Sequence, residues 1–307
     1  MSAVNSFEDL VNSGATLEQI RDRAGIETES IGRYLRWSKA DGLVPTDVKI
    51  RGGVFVLGGQ RYGDMVTVQQ GITTAIVFND LHCPFQDDRA IELMCKVIED
   101  IGPDILYENG DGLDCYTFSK FSKDLGRAKS FQQEREIHHT CMNTIQSASD
   151  ADYHYIGAED NHYARFIRNI LWENGLTDVP ELTPASILYL EEDHFHADPI
   201  IINGTFRVAH GARFGMYAHK ATLLDHMISG MMGHTHRMGS FFHSTPSMNY
   251  VYYMNGHLSN AEKTYGYYHD WTQGFSIVYF VPGGEFHVQQ VPIKDHRAIV
   301  NGKVYST

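Results

Sequence analysis

Five short runs in this 307-residue chain combine carboxylates, imidazoles and an amide at spacings that could hold divalent cations. They are Asp80-Leu81-His82, Gly110-Asp111-Gly112-Leu113-Asp114, Asn161-His162, His210-Gly211 and Gly233-His234-Thr235-His236. Mixed oxygen and nitrogen donors without sulfur suit Mn, Fe, Zn, Ni or Co better than Mg or Ca, and one aspartate can serve two ions at once. A pair of such ions, about 3.5–4 Å apart, clamps a phosphoryl group and activates water at neutral pH. The chemistry in view is hydrolysis of a phosphate ester, in which charge on the phosphoryl oxygens must be neutralised. The chain has 17 histidines, and twelve of them, including His154, His194, His196 and His257, belong to no such run. Those twelve read as ordinary core or surface residues.

Strands and helices must bring the five runs together. Ile72 to Phe78 is an unbroken strand-forming run, Asp88 to Ile101 an amphipathic helix, and Asp104 to Glu108 a second strand. A helix over about Ala128 to Ala148 and a strand at Tyr153 to Ile156 continue a β-α-β-α-β alternation. Phe206 to Ala209 reads as a further strand, and after His236 strands are expected at Asn249 to Met254, Phe275 to Val281 and Phe286 to Val291. This is an α/β pattern, a sheet with helices packed on it. The five runs follow strands, and residues just past the carboxyl ends of strands line the crevice where such folds bind ligands.

From about Ile72 to the end, the chain resembles the calcineurin-like metallophosphoesterases, whose motifs are DxH, GDxxD, GNH, a lone His and GHxH. The resemblance implies a four-layer αββα sandwich over residues 69–307. It implies Asp80, His82 and His236 on one metal, Asn161, His210 and His234 on the other, and Asp111 bridging the two. His162 becomes the catalytic histidine that is not a ligand, with Asp114 as its orienting partner. Two divalent ions follow as cofactors, with manganese the first expectation. Gly110 to Phe121, Glu134 and Asn161-His162-Tyr163-Ala164-Arg165 are similar to small members carried by bacteriophages. Two positions depart from the pattern, Asp160 in place of the usual Gly and Tyr163 where Asp or Glu is common. Glycine suits that turn because it tolerates positive φ, and Asp is among the few residues that can follow it there. Arg165 is a candidate phosphate contact through its planar fork, with a surface salt bridge as the alternative. Tyr265, Tyr267, Tyr268 and Trp271 read as packing residues, or else as a pocket wall.

The first 68 residues have another texture. Ser6 to Val11, Leu17 to Ala24 and Glu29 to Ala40 read as short helices, capped by Thr16 and Thr28 and stopped by Gly14, Gly25 and Gly42. Two strands around Gly52-Gly53 could form a wing. The stretch resembles a winged helix-turn-helix domain. Arg33, Arg36 and Lys39 recur on one face of its third helix, where a DNA reader would meet phosphates or base edges.

Residues 1–70 carry eight basic and nine acidic side chains, so nearly all of the net charge of −13 falls on the remainder. Such a body repels long polyanions unless metals offset its field, which favours small or single-stranded substrates. Cys83, Cys95, Cys115 and Cys141 show no CxxC spacing, which suggests neither a thiolate zinc site nor a disulfide framework. Met1 to Leu10 lacks the basic and apolar regions of a secretory signal, and no apolar run is long enough for a membrane span. A cytoplasmic enzyme is expected. The leading reading is a phosphodiesterase or nuclease acting on nucleic acid or nucleotides, its N-terminal module docking DNA. The alternatives are a phosphomonoesterase acting on a protein or small molecule, and a DNA-binding regulator with a structural metal domain.

Overall fold

The computed structural model describes residues 50–51, 54–57, 60–66, 71–119, 129–260 and 270–307. The three expected N-terminal helices, with Arg33, Arg36 and Lys39, lie outside these residues, as do Phe121, Tyr265, Tyr267 and Tyr268.

In chain order the strands are β1 (Ile50–Arg51), β2 (Val54–Leu57), β3 (Gln60–Val66), β4 (Thr73–Phe78), β5 (Ile105–Glu108), β6 (Asp152–Ile156), β7 (Phe195–His196) and β8 (Ile200–Ile202). They continue as β9 (Phe206–Val208), β10 (Ser229–Met232), β11 (Met238–Ser244), β12 (Asn249–Asn255), β13 (Gln273–Phe280), β14 (Phe286–Ile293), β15 (Arg297–Val300) and β16 (Lys303–Ser306). The helices are α1 (Asp88–Ile101), α2 (Phe131–Gln146), α3 (Tyr163–Phe166), α4 (Pro184–Leu188) and α5 (Ala218–His226). One sheet has six strands in the order β14-β13-β4-β5-β6-β7, and the other has eight, β1-β2-β3-β8-β9-β10-β12-β11. β1 pairs antiparallel with β2 and β2 with β3, and β3 joins the larger sheet by parallel pairing with β8.

Side-chain alternation along β4 explains the layering. Ile76 and Phe78 pack with Leu93, Met94 and Ile98 of α1 and with Met142 and Ile145 of α2. Ala75 and Val77 turn the other way, onto Ile200, Ile202, Phe206 and Val208 of the second sheet. On that sheet's far side, Leu223 of α5 packs with Met232, Tyr252 and Met254. Helices, sheet, sheet, helix is the expected αββα order. Each fully buried Ile, Leu, Met or Phe in these layers contributes about 1.5–3 kcal/mol.

The helix limits have local causes. Asp87 accepts hydrogen bonds from the Arg89 and Ala90 amides (3.1 and 3.2 Å), and Gly102 ends α1 in the left-handed region at φ 59°. α2 begins three residues later than expected because Ser130 and Gln133 close a reciprocal capping box. Among the described residues, no helix is long and apolar enough to cross a membrane.

Candidate metal centre

The loops after β4 and β5 are zipped together by backbone hydrogen bonds. His82 N–H donates to Asp111 O (2.9 Å), Cys83 N–H to Gly112 O (2.8 Å), and Asp114 N–H back to Cys83 O (3.0 Å). The remaining runs are tied on in the same way, His210 N–H to Ala158 O (3.0 Å) and Gly233 N–H to His210 O (2.9 Å). Asp80, His82, Asp111, His234 and His236 all adopt left-handed backbone, with φ between 50° and 65°. That conformation costs an L-residue about 1–2 kcal/mol. Five such residues at one place mark a constellation that the surrounding fold holds against its local preference.

The side chains converge in two groups. Asp80 Oδ1 lies 3.0 Å from His236 Nε2 and 3.6 Å from His82 Nε2, and those two ring nitrogens are 3.0 Å apart. Asp111 Oδ2 lies 3.0 Å from His210 Nε2, and His234 completes that triad. The groups abut, because His210 Nε2 is 3.8 Å from Asp80 Oδ1 and Asp111 Oδ2 is 3.9 Å from His82 Nε2. Asn161 Oδ1 and both ring nitrogens of His234 have no hydrogen-bond partner among the described residues, although all three atoms are buried. An unpartnered ring nitrogen on His234, in the triad with Asp111 and His210, and the unpartnered Asn161 Oδ1 beside His162 in the chain are what divalent cations would satisfy. The donor set fits a pair of them.

Outer partners set which atom of each ligand faces inward. His210 Nδ1 donates to Asn109 O (2.8 Å), which turns Nε2 toward Asp111. Asn109 is itself fixed by donating to Ala209 O (3.0 Å). His82 Nδ1 is 3.1 Å from Asp114 Oδ1, leaving Nε2 for the site. The same Asp114 oxygen is 3.1 Å from His162 Nδ1, so one carboxylate orients two histidines. His234 N–H donates to Asp80 Oδ2 (2.9 Å), and Asn79 Nδ2 donates to the same oxygen and to Gly256 O (2.7 Å). Asn255 in turn holds Asn79 Oδ1 (2.9 Å). These buried amides were not singled out from sequence; Asn79, next to Asp80, was the one with a local signal.

His162 Nε2 lies 3.8 Å from Asp111 Oδ2, so this histidine reaches the Asp111 edge of the cluster. Arg165 covers it, with Nη1 3.3 Å from His162 Nδ1 and Nη2 3.2 Å from Nε2. Asp160 requires a correction. The positive φ of its turn falls on Glu159 at 66°, not on Asp160. Asp160 is there as an acceptor: it takes hydrogen bonds from Asp111 N–H (3.0 Å), Tyr163 N–H (2.8 Å) and Tyr155 Oη–H (2.6 Å). A glycine could not join the Asp111 loop to the start of α3 in this way.

Burial alone would raise the Asp80 and Asp111 carboxyls, yet the histidines beside them (His236 and His210; His162 and His210) hold both well below the usual range. Burial likewise lowers His82 and His210, but the carboxylates facing them more than reverse it and hold each at about 10. For His234, burial and then His210 push it down to about 4. Two aromatic rings flank the cluster: exposed Phe214 at 4.6 Å from the His234 ring, and half-buried Trp271 at 4.2 Å from the His236 ring.

No protein-family model matches the chain, and no curated protein matches it significantly. Among solved structures, wild-type Vps29 of Entamoeba histolytica complexed with Zn²⁺ is 12% identical, over 76% of this chain and 96% of that one, at a TM-score of 0.38. YfcE, a phosphoesterase from E. coli, is 11% identical over 72% and 100%, at 0.37. A dimetal phosphatase from Danio rerio is 8% identical over 70% and 98%, at 0.35. TM-scores this low assign no family, so the site's own geometry has to speak for its chemistry.

One glycine tests that geometry directly. Gly110 has φ +77°, and a Cβ there would meet His210 ring atoms at 2.7–2.8 Å. Gly110→Ala is expected to cost about 1–3 kcal/mol through strain and overpacking, and to displace His210 from Asp111. Thermal unfolding and bound-metal counts check it. An unchanged melting temperature with full metal content would show that the loop has slack.

Proposed function

We propose that the chain is a binuclear-metal phosphoesterase that cleaves phosphodiesters of nucleotides or short single-stranded nucleic acid. The observation that carries this is the pair of abutting donor groups, Asp80-His82-His236 and Asp111-His210-His234, with Asp111 facing both and His162 beside them outside the ligand set. Asn161 Oδ1, buried and without a hydrogen-bond partner among the described residues, would complete the second set. Bound there, two divalent ions supply Lewis acidity toward the phosphoryl oxygens and activate water; manganese is the first choice for such a donor set. His162 is held through Nδ1 by Asp114, at 3.1 Å to Oδ1 and 2.8 Å to the backbone oxygen, and Nε2 passes a proton to the leaving oxygen once Arg165 Nη2, 3.2 Å from it here, turns to the phosphate. The Arg165 fork, 3.2–3.3 Å from the two ring nitrogens, is placed to bind a nonbridging phosphate oxygen.

The aromatic flanks favour a nucleotide substrate. Phe214 is 79% exposed at the rim, and a base stacked on such a ring gains about 1–3 kcal/mol. In the same reading, the helix-turn-helix-like stretch ahead of β1 docks nucleic acid through Arg33, Arg36 and Lys39. Assays with Mn²⁺ on bis-p-nitrophenyl phosphate and p-nitrophenyl phosphate are expected to show preference for the diester. Turnover of the monoester alone would make the enzyme a phosphomonoesterase, and no turnover of either with any of the five metals would end the enzymatic reading. Phe214→Ala is expected to raise KM for thymidine 5′-p-nitrophenyl phosphate by about 5–10-fold with kcat nearly unchanged, as loss of one stacked base implies. An unchanged KM removes the stacking role.

A further inference from the structure

Beneath the candidate centre lies a buried tyrosine hydroxyl that takes no part in the proposed chemistry. β6 carries two tyrosines, Tyr153 and Tyr155, on one face, because residues two apart along a strand point the same way. Both are buried, but their hydroxyls go to different partners. Tyr153 Oη–H donates to Glu108, which His138 Nε2 also holds at 3.0 and 3.1 Å. Tyr155 Oη–H donates to Asp160 Oδ2 (2.6 Å), and the same hydroxyl oxygen accepts Gly112 N–H (3.3 Å).

Those bonds grip the loop that carries Asp111. Asp160 Oδ2 also accepts Asp111 N–H (3.0 Å), so the hydroxyl and the carboxylate together take the amides of two successive residues. Asp160 is fixed from its other side, where Oδ1 accepts Tyr163 N–H (2.8 Å). Its neighbour Glu159 is tied to the second sheet, with Arg207 Nη2 of β9 donating to Oε1 (3.0 Å). The Tyr155 ring is itself wedged. The Phe195 ring lies nearly parallel to it at 5.9 Å, and the His138 ring meets it edge-on at 6.2 Å. Gly112 is pressed against the Glu108–His138 pair, since a Cβ there would lie 2.1 Å from Glu108 Oε1 and 2.7 Å from His138 Nε2. Asp111 needs such a grip because its backbone is left-handed, at φ 50°, a conformation that persists only where the surroundings impose it.

We propose that Tyr155 is a positioning residue for the metal centre: its hydroxyl, with Asp160, holds the Asp111 backbone so that one carboxylate faces both ligand groups. The inference rests on the binuclear reading of that centre, in which Asp111 is shared. Without the hydroxyl, Gly112 N–H loses its acceptor and Asp160 Oδ2 loses a donor in a site closed to water. The loop then relaxes, Asp111 swings off the shared position, and both ions weaken together. Tyr155 touches no substrate, so substrate affinity is unaffected.

Calorimetric titration of the full chain with Mn²⁺ tests this, alongside the Mn²⁺ dependence of bis-p-nitrophenyl phosphate turnover. Tyr155→Phe is expected to weaken Mn²⁺ binding by about tenfold or more, as loss of a supporting hydrogen bond around a ligand does. At saturating Mn²⁺ its KM should equal that of the wild type, with kcat within about threefold. Tyr153→Phe makes the same chemical change on the same face, where His138 still holds Glu108. It should bind Mn²⁺ as the wild type does, even if its melting temperature falls. Mn²⁺ binding as tight in Tyr155→Phe as in the wild type overturns the proposal, and so does equal weakening in both variants. Should Tyr155→Phe not fold, Asp160→Asn decides, because its amide can no longer accept on both sides. Weaker Mn²⁺ binding with unchanged KM supports the grip on Asp111, and unchanged binding overturns it. A wild type that binds two ions without cleaving the diester would end the catalytic reading alone, since the binding comparison stands apart from turnover.

Discussion

Asp111→Asn is expected to lower phosphodiester turnover by at least about 10³-fold, with the fold intact and the metal content reduced. The expected size follows from what meets at this side chain. Asp111 is 1% exposed, its Oδ2 lies 3.0 Å from His210 Nε2 and 3.9 Å from His82 Nε2, and its Oδ1 accepts the His162 amide at 3.2 Å. An amide of the same shape keeps the packing but removes the negative charge that both ligand groups face. Two cations close together without that charge between them repel each other across a buried, weakly screening site. The substitution therefore weakens both ions and misplaces whichever one remains. Circular dichroism should be unchanged, kcat with saturating Mn²⁺ should collapse, and metal counting should show fewer than two ions per chain. Full activity in this variant would sink the bridging role.

Local physics explains what could be read from sequence. The limits of α1 were legible because Asp87 and Gly102 bracket a run of apolar residues at helical spacing. The runs that meet at the candidate centre were legible because each couples unusual residue types to a strand end. Three features resisted. β8 and β10 are three and four residues long, too short to show an alternation, and Gly230 interrupts the second. That glycine makes sense only in the assembled sheet, where a Cβ would sit 2.2 Å from Arg207 O. The amide chain from Asn255 to Asn79 to Asp80 joins residues about 175 positions apart, and no local pattern announces it. The role of Asp160 is hidden for another reason: a residue type shows tolerance for a backbone angle but not which hydrogen bonds it will accept. The ring contacts of His154 with His194 and His196, at 5.1 Å between centroids in each pair, join residues about forty positions apart and have no local signal either.

Loading the candidate centre with metal is expected to release about two protons per chain at pH 7, and metal affinity should climb steeply with pH. In the metal-free protein His82 and His210 are held at about 10, against about 6.5 when unfolded, so both are protonated at neutral pH. His234 at about 4 and His257 at about 3, each lowered first by burial, are already neutral and release nothing. A ligand histidine must give up its proton to bind a cation. Each displaced proton makes affinity rise about tenfold per pH unit below pH 10, so two give roughly 2.7 kcal/mol per unit. The metal-free protein behaves oppositely. A histidine raised on folding contributes its full stability below about pH 6.5, and that contribution disappears as pH rises through its folded value near 10. The gain in melting temperature on adding saturating Mn²⁺ should therefore widen from pH 6 to pH 8, chiefly because the metal-free form weakens while the loaded form does not. Calorimetric titration in two buffers of different ionisation enthalpy counts the protons, and paired melting curves at pH 6, 7 and 8 measure the widening. If no protons are released and the gain in melting temperature is the same at all three pH values, His82 and His210 are not ligands that must be deprotonated, and the assignment of both metal positions falls with them.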